Sequence, residues 1–369
     1  MFGQLPKSLP PIHRILLIQP SRIGDIVFSL PTLRALRRTF PQSRITWLVD
    51  DRCRELVEGH PDLDETLVVP FKMLEKDLKD REWKKVWRTV AGLKRTLRAG
   101  SFDLSLDLHG LAKSALLVWL AGARLRLGSA NTNGMKEFSG FFSREIPAGP
   151  EDRHTVERNL AVIRYLGGET TRPEFDLPVS GEAQREVREI LSQAGCGEED
   201  RLIVIHPGAG WLSRRWPADR YAALIQRLHR DLPAKIAVIG GPEGGSKEDH
   251  LFQELFSRLE VPVINLVRRL GLQALLALFK RAQLFIGNEA GPMHLANALG
   301  LPAVVLIGPT IPERTGPFGT TARVIRQMVG CNPCRERNCP DLKCLAAIEV
   351  SQVEEAAHSL WKLHCGPAH

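Results

Sequence analysis

Several stretches of the chain pair an aliphatic run with residues that can manage charge. The fullest is Leu284 to Thr310, LFIGNEAGPMHLANALGLPAVVLIGPT. Its apolar start stops at Gly287-Asn288-Glu289-Ala290-Gly291, where small and turn-forming residues let the backbone bend sharply. Pro292 suits the first helical position, because its missing N–H would have no intrahelical partner there. Such a turn leaves free amides and the positive end of a helix dipole beyond a strand, an arrangement that suits a phosphate. Arg214 and Arg215 precede Trp216-Pro217 near a glycine turn, and two adjacent cations can clamp a diphosphate, or simply lie at the surface. Glu243, after Gly240-Gly241-Pro242, is placed to accept from ribose hydroxyls. Asp25 follows Ile15 to Ile18 and Gly24, so it is either a helix N-cap or a carboxylate at the mouth of a sheet. His109 ends a further aliphatic run, as a ligand contact or as a structural histidine.

These residues need strands and helices to hold them. Ile15–Ile18, Thr46–Val49 and Leu104–Leu108 read as strands, with a helix from the Gly24 turn through Arg38 completing a βαβ unit. The second half repeats the pattern. Leu202–Ile205, Ile236–Ile239, Val263–Leu266, Leu284–Ile286 and Ala303–Ile307 read as strands, with helices at 218–230, 272–281 and 294–299. Alternating strands and helices in both halves imply two doubly wound α/β domains, 1–178 and 179–369, with the proline-containing segment 172–180 between them. In such sheets ligands sit beyond the carboxyl ends of the strands, where Asp25, His109, Arg214, Glu243 and Glu289 all fall.

The 369 residues exceed one ordinary core, and 43% hydrophobic with 25% charged residues is a soluble globular composition. Met1 to Pro11 reads as a loose leader rather than a targeting segment, and the longest apolar run, Ala115 to Ala123, is far short of the ~20 residues that span a membrane. A cytoplasmic protein is expected. The net charge of +8 favours anionic partners, leaving nucleic acid, acidic lipid and phosphorylated substrates open. Lys72 to Arg98 reads as one basic helix with Trp83 and Trp87 on one face, either packing on the core or resting on an anionic membrane. Residues 128–147 read as a loop with Phe138, Phe141 and Phe142, a recognition segment or an Ω-loop. Cys331, Cys334, Cys339 and Cys344 offer a zinc-knuckle start but tighter later gaps, so a structural metal competes with reduced thiols.

Four stretches together resemble the heptosyltransferases of lipopolysaccharide core assembly, glycosyltransferase family nine. They are ILLIQPSRIGDIVFSLP (15–31), FDLSLDLHGLAKS (102–114), HPGAGWLSRRWP (206–217) and FIGNEAGPMHLANALGLPAVVLIGPTIPERTGPFG (285–319). Cys331 to Leu345 is similar to the cysteine-rich tail of some members. The resemblance implies a GT-B architecture, with two Rossmann-like domains facing across a cleft, an acceptor site on the first and an ADP-heptose site on the second. It implies inverting transfer without a metal or other cofactor. On this basis Asp25 is the general base, with Arg22, Gly24, His109 and Lys113 around an anionic lipopolysaccharide inner-core acceptor. The donor falls to Ser213, Arg214, Arg215, Glu243, Glu289, Ala290, Gly291, Met293 and His294. Peripheral contact with the inner face of the membrane, no role for nucleic acid, and a C-terminal helix packed back on the first domain are expected as well.

One position departs from the family pattern. Glu289-Ala290 stands where Asp-Ser or Asp-Thr is common, lengthening the carboxylate and losing a hydroxyl. Three readings compete with ADP-heptose transfer: use of another nucleotide sugar, a basic nucleic-acid-binding protein with a cysteine knuckle, and a scaffold without activity.

Overall fold

The computed structural model describes residues 10–129, 144–146, 153–241, 246–334, 336–339 and 341–366. The chain divides into two compact units, Met1–Pro178 and Val179–His369. The first holds strands β1 (Arg14–Ile18), β2 (Arg44–Asp50), β3 (Glu65–Val69), β4 (Leu104–Asp107), β5 (Leu125–Ser129) and β6 (Arg144–Ile146). Its helices are α1 (Ile23–Thr39), α2 (Phe71–Lys79), α3 (Trp83–Ala99), α4 (Ala112–Ala121) and α5 (Thr155–Tyr165). The second holds β7 (Leu202–His206), β8 (Lys235–Gly240), β9 (Ile264–Val267), β10 (Leu284–Asn288), β11 (Ala303–Leu306) and β12 (Ala322–Ile325). Its helices are α6 (Gly181–Gln193), α7 (Ala218–Asp231), α8 (Ser246–Ser257), α9 (Leu272–Arg281), α10 (Gly291–Ala298), α11 (Pro312–Thr315), α12 (Lys343–Ala346) and α13 (Val350–Cys365).

Each unit is built on one parallel sheet, ordered β3-β2-β1-β4-β5-β6 in the first and β12-β11-β10-β7-β8-β9 in the second. Renumbered within its own unit, the second order is the first one read from the opposite edge. Parallel strands are covered on both faces, so their central members are continuous aliphatic runs rather than alternating ones. Ile15 to Ile18, Leu202 to Ile205 and Leu284 to Ile286 have no exposed surface. Gly287 is needed where β10 meets β7, because a Cβ there would stand 2.9 Å from the His206 carbonyl oxygen. In the second unit Trp216 and Tyr221 meet edge to face at 4.9 Å, beneath the strand ends that carry the donor-site candidates.

Several expectations need correction. The basic stretch 72–98 is two helices, separated at Asp80-Arg81-Glu82, with Arg81 in the left-handed region at φ 57°. A run of good helix formers hides such a break. Separately from these corrections, Val353, Ala357, Leu360 and Trp361 of the C-terminal helix α13 join a core of the second unit with Trp216, Leu224 and Ile225. Gly291, not Pro292, opens α10, and proline takes the second position. β3, β5, β6 and β12 are not apparent from the pattern, and β6 lies inside the stretch 128–147 read as a loop. Glu243, most of the 128–147 loop and the first nine residues of the leader lie outside the described residues.

Candidate active site

In a doubly wound sheet the chain leaves in opposite directions from two adjacent central strands, and a crevice opens where their loops part. That point lies between β1 and β4 in the first unit and between β7 and β10 in the second. The sequence candidates gather at these two places.

In the first unit the β1–α1 turn puts Arg22 at the N-cap of α1 with φ 70° and ψ 128°, a conformation unusual outside glycine. Trp47 Nε1 donates to the Gln19 carbonyl at 3.3 Å and Asp50 N to the Pro20 carbonyl at 2.6 Å, holding the turn against β2. Gly24 and Asp25 then lie in the first turn of the helix. Asp25 is not the N-cap: that place is Arg22's, and no side chain caps this end. The Asp25 carbonyl accepts from Ser29 Oγ at 2.9 Å, while its carboxylate has no hydrogen bond or ion pair among the described residues. Burial pushes its carboxyl up to about 6, against the opposing pull of Arg22 and Lys113.

Across the same switch point, Asp107 ends β4 fully buried. It accepts from the amides of His109 and Gly110, each at 3.0 Å, and from Ser114 Oγ at 2.9 Å. Burial outweighs these donors and raises its carboxyl to about 6. The clasp fixes His109, whose Nε2 has no partner among the described residues. Burial, with Lys113 and Arg22 nearby, lowers the imidazole to about 4, so it is neutral at pH 7. Lys113 Nζ lies 3.4 Å from Ser21 Oγ and 5.0 Å from the centre of the Phe71 ring. Arg22, Asp25, His109 and Lys113 are thus electrostatically coupled in one place. Asp107 was overlooked in the sequence, although a strand-terminal Asp followed by His-Gly and a Ser one helical turn later is its signature.

In the second unit a single 3-10 turn, Leu212–Arg214, follows the loop after β7. Buried Asn288, at the end of β10, ties the two together: its Nδ2 donates to the Pro207 carbonyl at 2.6 Å and its Oδ1 accepts from Trp216 N at 3.3 Å. Arg214 and Arg215 do not form a side-by-side clamp. Arg215 is buried, with Nε donating to the Ala209 carbonyl at 2.8 Å. Arg214 donates from Nη1 to the Glu289 carbonyl at 3.3 Å, and its Nε lies 3.8 Å from Glu289 Oε2. Two guanidiniums stand over the Trp211 ring, Arg214 at 4.0 Å and Arg337 at 4.9 Å from its centre.

Glu289 is buried, and its carboxylate accepts from Thr315 Oγ1 at 2.8 Å and from Thr310 Oγ1. Burial raises its pKa, opposed first by Arg214 and then by the two hydroxyls. Ala290 is the N-cap of α10, whose amino-terminal residues, Gly291 and Pro292, are half-buried. His294 is largely buried, and Met293 has no exposed surface, which makes its side chain a floor rather than a contact. Ser213 Oγ is buried without a partner among the described residues. The cysteines form no ligand cluster among the described residues, where Asp231, Glu354 and His358 alone come close enough together for a metal. Cys331 and Cys334 are exposed and Cys344 is buried. Their loop is anchored instead by Asn332, whose Nδ2 donates to the Gly308 carbonyl at 3.2 Å and to the Gln327 carbonyl at 2.8 Å.

Comparison with known proteins fits this geometry. The family model "Glycosyltransferase family 9 (heptosyltransferase)" matches residues 90–345. Lipopolysaccharide heptosyltransferase 1 of Pseudomonas aeruginosa is 27% identical over 331 residues, 88% of this chain and 87% of that protein. The crystal structure of a family 9 glycosyl transferase from Veillonella parvula superposes with a TM-score of 0.78 at 26% identity, covering 94% of this chain and 97% of that one. The E. coli heptosyltransferase WaaC, solved with ADP-2-deoxy-2-fluoro heptose, shares the fold with a TM-score of 0.68 at 21% identity, covering 94% and 99%. Two doubly wound units, the switch-point residues and the family match lead to one conclusion: the chain belongs to glycosyltransferase family 9, the heptosyltransferases, and is a glycosyltransferase of GT-B fold.

Proposed function

We propose that this protein transfers heptose from ADP-heptose to a hydroxyl of the lipopolysaccharide inner core, inverting the anomeric centre, with Asp25 as general base. The observation that carries the assignment is the Asp25 carboxylate, raised to about 6 and without a hydrogen-bond or ion-pair partner among the described residues at the first unit's switch point. A base must be ionised at working pH yet still attract a proton, and this value meets both needs. Asp25 takes the proton of the acceptor hydroxyl, and the oxygen's electron pair forms the bond to the anomeric carbon. The bond from that carbon to the diphosphate oxygen breaks, and its electrons leave with ADP.

The other residues divide by charge. Arg214 and the amino end of α10 suit the negative charge that grows on the departing diphosphate. Ser213 and His294 complete the donor side, with Glu243 proposed at the ribose. Arg22 and Lys113 attract an anionic acceptor, and neutral His109 exchanges hydrogen bonds with its hydroxyls. The relatives' names support the substrate class: one is a lipopolysaccharide heptosyltransferase, and another was solved with an ADP-heptose analogue. A lipid-anchored acceptor places the reaction at the cytoplasmic face of the inner membrane, with the enzyme in peripheral contact.

Thermal shift with a panel of nucleotide sugars tests the donor. At ~100 times its Kd a ligand stabilises by ~2.7 kcal/mol, so ADP-heptose should raise Tm most. A larger rise with a UDP- or GDP-sugar overturns the donor assignment. Arg214→Ala should weaken ADP binding ~10- to 100-fold by calorimetry, the loss of a charge-assisted hydrogen bond, and unchanged affinity removes Arg214 from the site.

A further inference from the structure

Most of the exposed large apolar side chains among the described residues lie on α2, α3 and α4 of the first unit. Trp83 is 63% exposed, Trp87 74%, Trp119 46% and Leu116 44%, with Met73 and Leu78 also exposed on α2. Neither switch point uses them. On α3 the residues that meet the core are Val90, Leu93 and Leu97, which pack against the cluster with Phe71, Phe102 and Leu117. The helical period puts Trp83, Trp87 and Lys94 on one flank of that face, rising about 16 Å along the axis. Lys94 Nζ stands 5.8 Å from the centre of the Trp119 ring, and Arg98 Nη2 donates to the Trp119 carbonyl at 3.5 Å, so the flank continues onto α4.

The charge of α3 is one-sided, although α2 before it mixes Lys72, Lys76 and Lys79 with Glu75 and Asp77, and Lys85 Nζ lies 3.4 Å from Glu82 Oε1. α3 carries Lys84, Lys85, Arg88, Lys94, Arg95 and Arg98 and no acidic residue. Indoles set among lysines and arginines gain on both counts at a lipid headgroup layer: the rings enter the interface, and the long cations reach the phosphates. Exposed aliphatics decide between a bilayer and a nucleic acid. Leu116, Met73 and Leu78 gain from acyl chains and nothing from base stacking, whereas single-strand binders rely on aromatic platforms. Among the described residues no helix is long and apolar enough to cross a membrane, so the contact is with a surface.

We infer that the α3–α4 face of the first unit is the docking surface for an anionic lipid bilayer, with Trp83, Trp87 and Trp119 at headgroup depth. The inference deepens the membrane reading proposed above by naming the surface, and it requires no sugar transfer to be tested. The full-length protein is sedimented with phosphatidylglycerol/phosphatidylethanolamine vesicles and with phosphatidylcholine vesicles at about 0.15 M ionic strength. Binding to the anionic vesicles only is expected, with a blue shift of tryptophan emission. Trp83→Ser/Trp87→Ser should weaken that binding at least tenfold, and Lys84→Glu/Arg88→Glu should do so as well. ADP affinity, measured in parallel, should be unchanged in both variants, which reports an intact fold and a donor site independent of docking. Equal binding to phosphatidylcholine, full binding by the tryptophan variant, or binding of polyuridylate without vesicle binding would each overturn the inference. Loss of ADP-heptose specificity with vesicle binding retained would sink the transferase assignment and leave this surface standing.

Discussion

Each unit places a carboxylate at its switch point, Asp25 after the first strand of the first unit and Glu289 after the fourth strand of the second, and the two are treated in opposite ways. The Asp25 carboxylate, after β1, has no hydrogen bond or ion pair among the described residues, while that of Glu289, after β10, is held by Thr310, Thr315 and Arg214. Burial raises both pKa values. An unheld carboxylate beside a crevice is free to accept a proton, whereas one whose lone pairs are already taken can only fix its neighbours. The doubly wound sheet supplies a position in each unit, and the surroundings decide between chemistry and support. Glu289 lies against Arg214, and beyond the next strand its carboxylate meets the hydroxyls of Thr310 and of Thr315 at the end of α11.

The largest test of this comparison is Asp25→Asn. Removing a general base costs typically 10²- to 10⁴-fold in turnover, and donor affinity should stay within a factor of two or so. Wild-type turnover should fall on the acid side with a midpoint near 6, the value to which burial raises the carboxyl. The stability effect has the opposite sign. A carboxylate whose folded pKa lies above its unfolded value of 3.8 penalises the folded state once it ionises. The penalty is absent below the unfolded value, grows between it and about 6, and is complete above that. Asp25→Asn should therefore melt higher than wild type at pH 7.5 and equal to it near pH 4. Wild-type turnover in the variant, or a lower melting point at neutral pH, breaks the comparison.

How much of this was legible depends on distance along the chain. The central strands were readable because a parallel sheet buried on both faces demands unbroken aliphatic runs such as Ile15 to Ile18 and Leu202 to Ile205. Edge strands β3 and β12 were not, since Glu65–Val69 and Ala322–Ile325 remain mostly half-buried or exposed and carry no such run. The catalytic candidates were legible from place and motif, but their partners were not. Whether a carboxylate is free or held is decided by residues elsewhere: Thr310 and Thr315 for Glu289, and Lys113 for Asp25. Arg214 and Arg215 looked like a pair because adjacency in sequence implies nothing about direction once a 3-10 turn ends between them. The single helix expected at 72–98 failed for a related reason: a left-handed Arg81 leaves no trace in hydrophobic periodicity.

Glu289→Gln sharpens the other half of the comparison. The amide keeps one acceptor oxygen for a threonine hydroxyl and loses the attraction to Arg214. A buried hydrogen-bonding group left without its partner costs about 1–3 kcal/mol, and the neutral amide offsets part of that by removing a buried charge whose pKa burial raises, so Tm at neutral pH should fall by less than that equivalent. ADP affinity should fall less than in Arg214→Ala, because the guanidinium remains and only its tether weakens. Turnover with saturating donor should stay within about tenfold of wild type, roughly the effect of 1.4 kcal/mol. A loss as deep as that of Asp25→Asn would mean that Glu289 meets the substrate directly, and the contrast between free and held carboxylates would fail.

The smallest effect concerns how far the support of Arg214 extends. Arg214 and Arg337 both stand over the Trp211 ring, and the Arg337 carbonyl also accepts from Ser213 N at 3.4 Å, so the cysteine-rich loop contacts the Leu212–Arg214 turn through both side chain and backbone. Arg337→Ala removes only the side-chain part. One exposed cation–π contact is worth about 0.5–1 kcal/mol, which predicts a two- to fivefold rise in KM for the donor. kcat should not change if Arg337 bears on Arg214 only through the Trp211 ring that both stand over. Arg337→Lys, which keeps a cation over the ring, should recover most of the loss, whereas a simple structural role would lower Tm without that recovery. A fall in kcat with KM unchanged would place Arg337 nearer the chemistry than its stacking on Trp211 implies.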